Sequence, residues 1–334
     1  MNAITLFAGA GGADLGMRAA GVHHLACVEG WATACETLKA AGFPAVNAWI
    51  GEGGELPAWQ WQGGAVDLLW GSPPCQPYSA AGKRLGADDP RDGWPATLEA
   101  IRTIRPRWVI IENVGGAPIR SWALDLHGGL FEPGQFAYVS ARTLDAADWG
   151  LPSHRVRQFL VAGPKPYRWP EPTHCGPDAP VGSRLRLLPW VGFGAALGLV
   201  DVVVKADRGA GMAERHGERI QALDAPIGGL NCKGGGGYWL LFQPSAGVCT
   251  TEEKGTRASA ASGFTFNGGP DRASDSLFLA TGRRRLTWQE CAVLLGFPAD
   301  YPFAGGIGAK YKQIGNAVAP VMAEALARQV QVSE

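Results

Sequence analysis

The first half of this chain repeats one local pattern: a short apolar run, a loop, then a helix-like segment. The runs read as strands at Ile4–Phe7, His24–Val28, Ala45–Asn47, Val66–Trp70, Arg107–Ile111, Tyr138–Asp145 and Gln158–Ala162. Helices fit between them at Ala13–Ala20, Ala32–Ala41 and Ala96–Ile104. Strand–helix alternation predicts a mostly parallel α/β sheet with helices on both faces. Ligands on such sheets gather at the carboxyl ends of the strands. A Gly-rich turn (Phe7 to Gly12), Glu29, Cys75 and Glu112 all fall at strand carboxyl ends in this reading.

Residues 164–282 differ. They are rich in Gly, Pro and Arg, with short strands and irregular loops such as Lys233–Tyr238 and Thr250–Gly255. Helical patterning returns in the last 50 residues or so, at Thr287–Leu295 and Val318–Val330. Three stretches are expected: a first domain at 1–163, a smaller β-containing region at 164–282, and a return to the first domain at 283–334.

Composition narrows the classes. With 334 residues there is material for one or two domains, and no run of about 18 apolar residues exists to span a membrane. The chain opens on a strand-like segment without a signal peptide's regions, and the expectation is a cytoplasmic protein. Seven scattered cysteines without a Cys-x-x-Cys pair suggest neither a disulfide framework nor a zinc ribbon, so no metal is expected. Net charge is zero, but residues 1–150 carry 10 basic and 15 acidic side chains and the remainder 20 and 15. The basic second half can supply a phosphate-contacting face.

Cys75 lies in Gly71-Ser72-Pro73-Pro74-Cys75-Gln76-Pro77-Tyr78-Ser79, directly after an apolar run. Two prolines stiffen the turn, and rigid presentation of a thiolate is what covalent catalysis needs. An isolated cysteine is more often buried and inert; the surrounding motifs reverse that reading. In the Gly-rich turn, glycines permit close backbone approach to a ligand. Glu29, about 20 residues on, is placed to bind ribose hydroxyls. Arg155 and Arg157 lie two apart before a strand and share a face. On residue chemistry alone, Glu112 can equally be a salt-bridged loop carboxylate, the arginines a solvated strand edge, and Asn316 a cap for the final helix.

The ordered blocks are Phe7-Ala8-Gly9-Ala10-Gly11-Gly12, Glu29, Pro74-Cys75-Gln76, Glu112-Asn113-Val114, Arg155-Val156-Arg157, Arg284 to Glu290 with Gly296-Phe297-Pro298, and Gln313 to Val318. Together they resemble the cytosine-5 DNA methyltransferase family, over about residues 1–163 and 283–330. The resemblance implies a Rossmann-like class I methyltransferase sheet. It implies transfer of a methyl group from S-adenosyl-L-methionine, leaving S-adenosyl-L-homocysteine, to C5 of a cytosine flipped out of double-stranded DNA. The nucleophile would be Cys75, attacking C6. Glu112 would act at N3, and Arg155 and Arg157 would orient the site and the base. Cofactor contacts would come from Phe7, Ala8, Gly9, Gly11, Gly12, Glu29, Gly30, Trp49, Pro73, Asn316, Ala317 and Val318.

The same resemblance makes residues 164–282 a target-recognition region. DNA contacts are expected from Gln76, Ser79, Lys83, Arg84 and Arg91, and from Arg184, Arg186, Lys233, Tyr238, Lys254 and Arg257. A cognate restriction endonuclease is the implied partner. Three positions depart from the family: Trp31 and Trp49 stand where aspartates are usual, and Ser153 where glutamine is common. Trp49 can stack on an adenine but cannot accept its amino hydrogens. Two other readings remain, a relative acting on tRNA cytosine and a catalytically inactive DNA-binding module.

Overall fold

The computed structural model describes residues 1–51, 66–78, 86–89, 91–127, 135–199, 202–206, 220–227, 238–242 and 283–333. Seven strands form one sheet: β1 (Asn2–Leu6), β2 (His23–Glu29), β3 (Ala45–Asn47), β4 (Leu68–Gly71), β5 (Trp108–Asn113), β6 (Tyr138–Asp145) and β7 (Val156–Gly163). Their order is β3-β2-β1-β4-β5-β7-β6. Pairings from β3 through β5 are parallel, and β7 runs antiparallel to both neighbours. Each of the seven expected strands is found, with ends displaced by no more than two residues.

The central runs are continuously apolar because both faces of the sheet are covered. Alternate residues face opposite sides. Leu68, Trp70, Trp108 and Ile110 pack in one buried cluster, and Leu69, Val109 and Ile111 in another. Helices α1 (Gly12–Ala19), α2 (Ala32–Ala40) and α3 (Trp94–Ile104) lie where alternation places them. Helix α4 (Ile119–His127) was not expected, although Ile119, Trp122 and Leu126 are its buried residues and follow helical spacing. Helices α3 and α4 line the second cluster.

Beyond β7 come β8 (His174–Cys175) paired with β9 (Leu188–Pro189), and the short helices α5 (Val181–Arg184) and α6 (Phe193–Leu197). A second, antiparallel sheet joins β10 (Val202–Ala206), β11 (Ile220–Gln221), β12 (Tyr238–Phe242) and β13 (Arg283–Arg285) in the order β11-β10-β12-β13. The chain then returns to the first cluster through α7 (Trp288–Leu294), α8 (Ile307–Asn316) and α9 (Pro320–Ser333). Helix α7 opens on a capping box in which Thr287 and Glu290 satisfy each other's backbone donors. Among the described residues no helix is long and apolar enough to cross a membrane.

Helices α1 and α9 cross at Gly16. A Cβ there would stand 2.0 Å from the Pro320 carbonyl oxygen and 2.8 Å from the Glu324 amide nitrogen. Arg328 and Gln331 of α9 donate to the Ala19 and Ala20 carbonyls at the end of α1. Alanine is the better helix former by about 1 kcal/mol, but the clash is with backbone, which no rotamer relieves. Gly16→Ala is therefore expected to lower stability by about 1–3 kcal/mol, the scale of core overpacking. Urea unfolding monitored by circular dichroism checks this; an unchanged or raised midpoint would contradict the close helix crossing.

Candidate active site at the carboxyl edge of the sheet

Strand order reverses between β1 and β4, which opens a crevice at their carboxyl ends. The β1 strand runs out at Leu6, level with Val28 of β2 and Gly71 of β4. Phe7 follows with a left-handed backbone (φ 56°), and its ring fills the space beside Gly93, where a Cβ would approach to 2.8 Å. Gly11 also has positive φ, at 85°, and caps the start of α1. Tyr301 braces this turn from beneath, its hydroxyl donating to the Ala10 carbonyl at 2.5 Å. On the other side, a Cβ on Gly12 would meet the Val318 carbonyl at 2.2 Å. The Phe7–Gly12 turn and the Ala317-Val318 segment are thus packed together.

Glu29 ends β2 beside this turn. Its two carboxylate oxygens accept the Gly9 and Trp31 backbone N–H groups, each at 2.7 Å. These bonds fix the side chain at the edge while leaving lone pairs for other donors. The Asn47 amide ties β3 to the same corner by donating to the Glu29 carbonyl at 2.9 Å. Trp49 lies across Gly30, where a Cβ would be 2.9 Å from its ring, and keeps 59% of its surface exposed. The Trp31 ring receives the Lys312 ammonium at 4.4 Å. Neither tryptophan is a core residue; both stand at the rim beside Glu29.

Cys75 is half-buried on the turn after β4. Glu112 is on the neighbouring strand β5 and only 8% exposed. The residue that joins them is Asn113, also buried, whose Nδ2 donates to the Pro73 carbonyl at 3.0 Å. No role for Asn113 was assigned from sequence, although it sits inside the Glu-Asn-Val block. Arg157 Nε lies 3.0 Å from Glu112 Oε1. The salt-bridge and active-site readings of Glu112 are therefore compatible.

Because β7 is antiparallel, its first residues reach the edge that the parallel strands reach with their last. This is why the paired arginines precede a strand. Arg155 is 5% exposed and donates Nη2 to the Gly315 carbonyl at 2.9 Å and also to that of Ala317. Ser153, in glutamine's usual place, anchors this stretch by donating to the Leu294 carbonyl at 2.8 Å. Asn316 closes α8, four residues before α9 begins, so it does not open the final helix as the capping reading had it.

Arg91 is engaged by Asp89, with bonds of 2.9 and 2.7 Å from Nε and Nη2. Gln76 follows Cys75, and its Oε1 is buried without a hydrogen-bond partner. Arg184 and Arg186 are exposed on and just after α5. The structure does not bring these two together with Cys75 through any described contact. Ser79, Lys83, Arg84, Lys233, Lys254 and Arg257 lie outside the described residues, as does the side chain of Tyr238 on β12.

Asp145 and His154 form a further pair that sequence reasoning missed. Asp145 ends β6 and accepts the Arg155 backbone N–H at 2.9 Å, and its other oxygen is 2.7 Å from His154 Nδ1. Burial alone would raise the Asp145 carboxyl, but hydrogen bonds from His154, Arg155 and Ala147 hold it below its ordinary value. The Asp145 hydrogen bond raises His154 against an opposing burial effect.

A profile of the family described as C-5 cytosine-specific DNA methylase matches residues 1–182 and 242–332. The match runs beyond the stretches that carry the sequence motifs. The type II methyltransferase M.NgoMIV of Neisseria gonorrhoeae is 30% identical over 342 residues, covering 98% of this chain and 96% of that protein. M.NaeI of Lentzea aerocolonigenes is 30% identical over 344 residues, covering 100% and 75% respectively. Among solved structures, a DNMT2 variant from Spodoptera frugiperda superposes with a TM-score of 0.64 at 19% identity, covering 99% of each chain. Dnmt2 methyltransferase of S. pombe gives 0.62 at 16% identity, covering 99% and 98%. At these identities the structures speak for the fold, which is that of the class I methyltransferases.

The Asp145–His154 pair makes a pH-dependent contribution whose sign follows from both shifts. The raised His154 stabilises fully below the ordinary histidine value and loses this as pH rises through its own. The lowered Asp145 stabilises above the ordinary carboxylate value and loses this as pH falls through its own. His154→Gln should therefore lower Tm most at about pH 5–6, between the two ordinary values, and progressively less as pH rises beyond the ordinary histidine value. Scanning fluorimetry across pH tests this; a deficit independent of pH would mean that no ion pair contributes.

Proposed function

The chain belongs to the C-5 cytosine-specific DNA methylase family and is a DNA cytosine-5 methyltransferase, and on that premise we propose that Cys75 is its covalent nucleophile, Glu112 its ring-activating acid and S-adenosyl-L-methionine its methyl donor. The observation that carries the reading is the Asn113–Pro73 hydrogen bond of 3.0 Å. It couples the cysteine turn directly to the strand that presents Glu112, so thiol and carboxyl are offered to one substrate at a fixed spacing.

The residues present fit the cofactor. The Phe7–Gly12 turn leaves Gly9 with nothing within 4 Å of a hypothetical Cβ, an open backbone that a ligand can approach. Glu29 is held at the edge with acceptor capacity for ribose hydroxyls, and Gly30 and Trp49 offer an exposed ring for the purine. Phe7, Ala8, Gly9, Gly11, Gly12, Pro73, Asn316, Ala317 and Val318 complete the proposed contacts. When bound, S-adenosyl-L-methionine supplies an electrophilic sulfonium methyl.

The Cys75 thiolate adds to C6 of the extruded cytosine, and the electron pair moves into the ring. A protonated Glu112 carboxyl at N3 stabilises that charge. Arg157, whose Nε lies 3.0 Å from Glu112 Oε1, orients this carboxyl and the base. Arg155, buried in carbonyl contacts, holds the Gly315–Ala317 segment in place. C5 would take the methyl group that the cofactor supplies, the methyl–sulfur electron pair staying on sulfur, and loss of the C5 proton to a base with expulsion of Cys75 from C6 would restore aromaticity. Extrusion is required because a stacked base shields C5 and C6. Residues 164–282 would read the site, with Arg184, Arg186, Lys233, Tyr238, Lys254 and Arg257 as its candidates. Gln76, Ser79, Lys83, Arg84 and Arg91 would meet DNA around the cysteine turn. In a type II system, a cognate restriction endonuclease would share the site, and the enzyme would act as a cytoplasmic, nucleoid-associated monomer.

Bisulfite sequencing of plasmid from expressing cells should give the modified cytosine and its context. Duplex with 5-fluorocytosine at that site should trap the protein irreversibly, and Cys75→Ala should abolish trapping while sparing reversible DNA binding. A Cys75→Ala protein that still methylates normally would falsify the nucleophile assignment.

Glu29→Ala is expected to weaken binding of S-adenosyl-L-methionine by about 1–3 kcal/mol, the scale of lost charge-assisted hydrogen bonds. Titration calorimetry measures this directly, and an unchanged affinity removes Glu29 from the pocket.

A further inference from the structure

Asp14, His24 and Cys27 converge behind the Gly-rich turn, away from the reacting edge. Asp14 is in the first turn of α1, and His24 and Cys27 are on β2. Three residues apart on a regular strand, two side chains face opposite ways. Strand β2 is not regular. Its pairing with β1 steps from Ala3↔His24 to Ile4↔Ala26, which leaves Leu25 as an extra residue. Such a bulge re-aims the side chains on either side of it. Here it puts His24 on the face that carries Cys27, and both meet Asp14. His24 Nε2 is 3.3 Å, and Cys27 Sγ 3.1 Å, from Asp14 Oδ1. The three donor atoms lie within 4.8 Å of one another.

The cluster is buried, and two of its polar atoms lack hydrogen bonds. Asp14 and Cys27 are fully buried and His24 is 9% exposed. Asp14 Oδ2 and His24 Nε2 are both buried without a hydrogen-bond partner. Thr5 Oγ1 donates to Asp14 Oδ1 at 2.5 Å, an outer bond of the kind that orients a ligating carboxylate. Arg18, on the same helix, is committed elsewhere: it donates to the Ala41 carbonyl and stacks on Phe43 at 4.2 Å. A carboxylate this deep is stabilised by hydrogen bonds together with a paired charge or a metal ion.

The geometry points to a structural site for one zinc-class divalent cation, ligated by Asp14, His24 Nε2 and Cys27 Sγ. A mixed oxygen, nitrogen and sulfur set suits zinc and disfavours magnesium or calcium. Ligands about 2.0–2.1 Å from a tetrahedral zinc stand about 3.3 Å apart, the separation of the nitrogen and oxygen here. The sulfur–oxygen distance must open by a few tenths of an ångström, to about 3.5 Å. Zinc–thiolate bond formation displaces the Cys27 thiol proton, which leaves to solvent, so uptake releases a proton. The ion would bolt α1 to β2 and hold the Gly-rich turn and Glu29 at one spacing.

The test uses the full chain purified without chelator. Elemental analysis should find about one zinc per chain. Cobalt-loaded protein should show a sulfur-to-cobalt charge-transfer band that Cys27→Ser abolishes and Cys175→Ser keeps, and His24→Gln should lose the metal as well. Should the variants fail to fold, the metal content and cobalt band of the unaltered chain still decide. The site is withdrawn if the protein holds far less than one metal per chain both as purified and after refolding with zinc. A cobalt band that survives Cys27→Ser would equally overturn it.

Discussion

The packing of the sheet's carboxyl edge depends on one buried guanidinium. Arg155 gives up water and donates instead to the Gly315 and Ala317 carbonyls, 160 and 162 residues away in sequence. Burying a charge costs several kcal/mol unless its donors are met. The acceptors here are carbonyls at the end of α8, which lack partners within the helix and carry the negative end of its dipole. Each side supplies what the other lacks. Through this bond the Gly315–Val318 turn is pressed onto Gly12, and the Gly-rich turn is held from behind. The backbone of Arg155 is fixed in its turn by Asp145, and through Asp145 by His154.

The antiparallel β7 strand is the second constraint. In a fully parallel sheet, residues 155–157 would lie at the opposite edge from Cys75 and Glu112. Reversal brings a cation beside the Glu112 carboxylate, and the pair is half-sheltered: the Arg157 and Glu112 side chains are 19% and 10% exposed. At this depth the attraction is far less screened than on the surface. In the proposed mechanism that matters because Glu112 has to change its proton inventory while staying in position. Asn113 complements it by keeping the cysteine turn attached to the same strand.

Two local departures have structural compensations. Gly30 has no side chain, and the Trp49 ring lies over it. The rim by Glu29 thus gains an aromatic surface from β3's far end, with Asn47 fastening that end to β2. In β2 itself, one extra residue turns His24 toward Asp14 and Cys27. A three-residue spacing that means nothing on a regular strand becomes a cluster of one carboxylate, one imidazole and one thiol.

Sequence alone settled the sheet and which loops stand at its carboxyl edge. Continuous apolar runs ending in Gly-rich, Pro-Pro-Cys-Gln and Glu-Asn-Val loops are local signals, and all seven strands lie within two residues of where those signals put them. Helix α4 carried its periodic signal unread, while α8, with two glycines and two lysines, had little to read. What sequence could not supply were the bonds made at a distance. Arg155 with the Ala317 carbonyl, Asn113 with Pro73, Asp145 with His154, and the Asp14–His24–Cys27 cluster each need a register, a strand direction or a bulge before their atoms meet. Apolar period and turn chemistry are written residue by residue, so they survive in one dimension. The partner of a buried polar group is chosen by packing, and only the folded chain determines it.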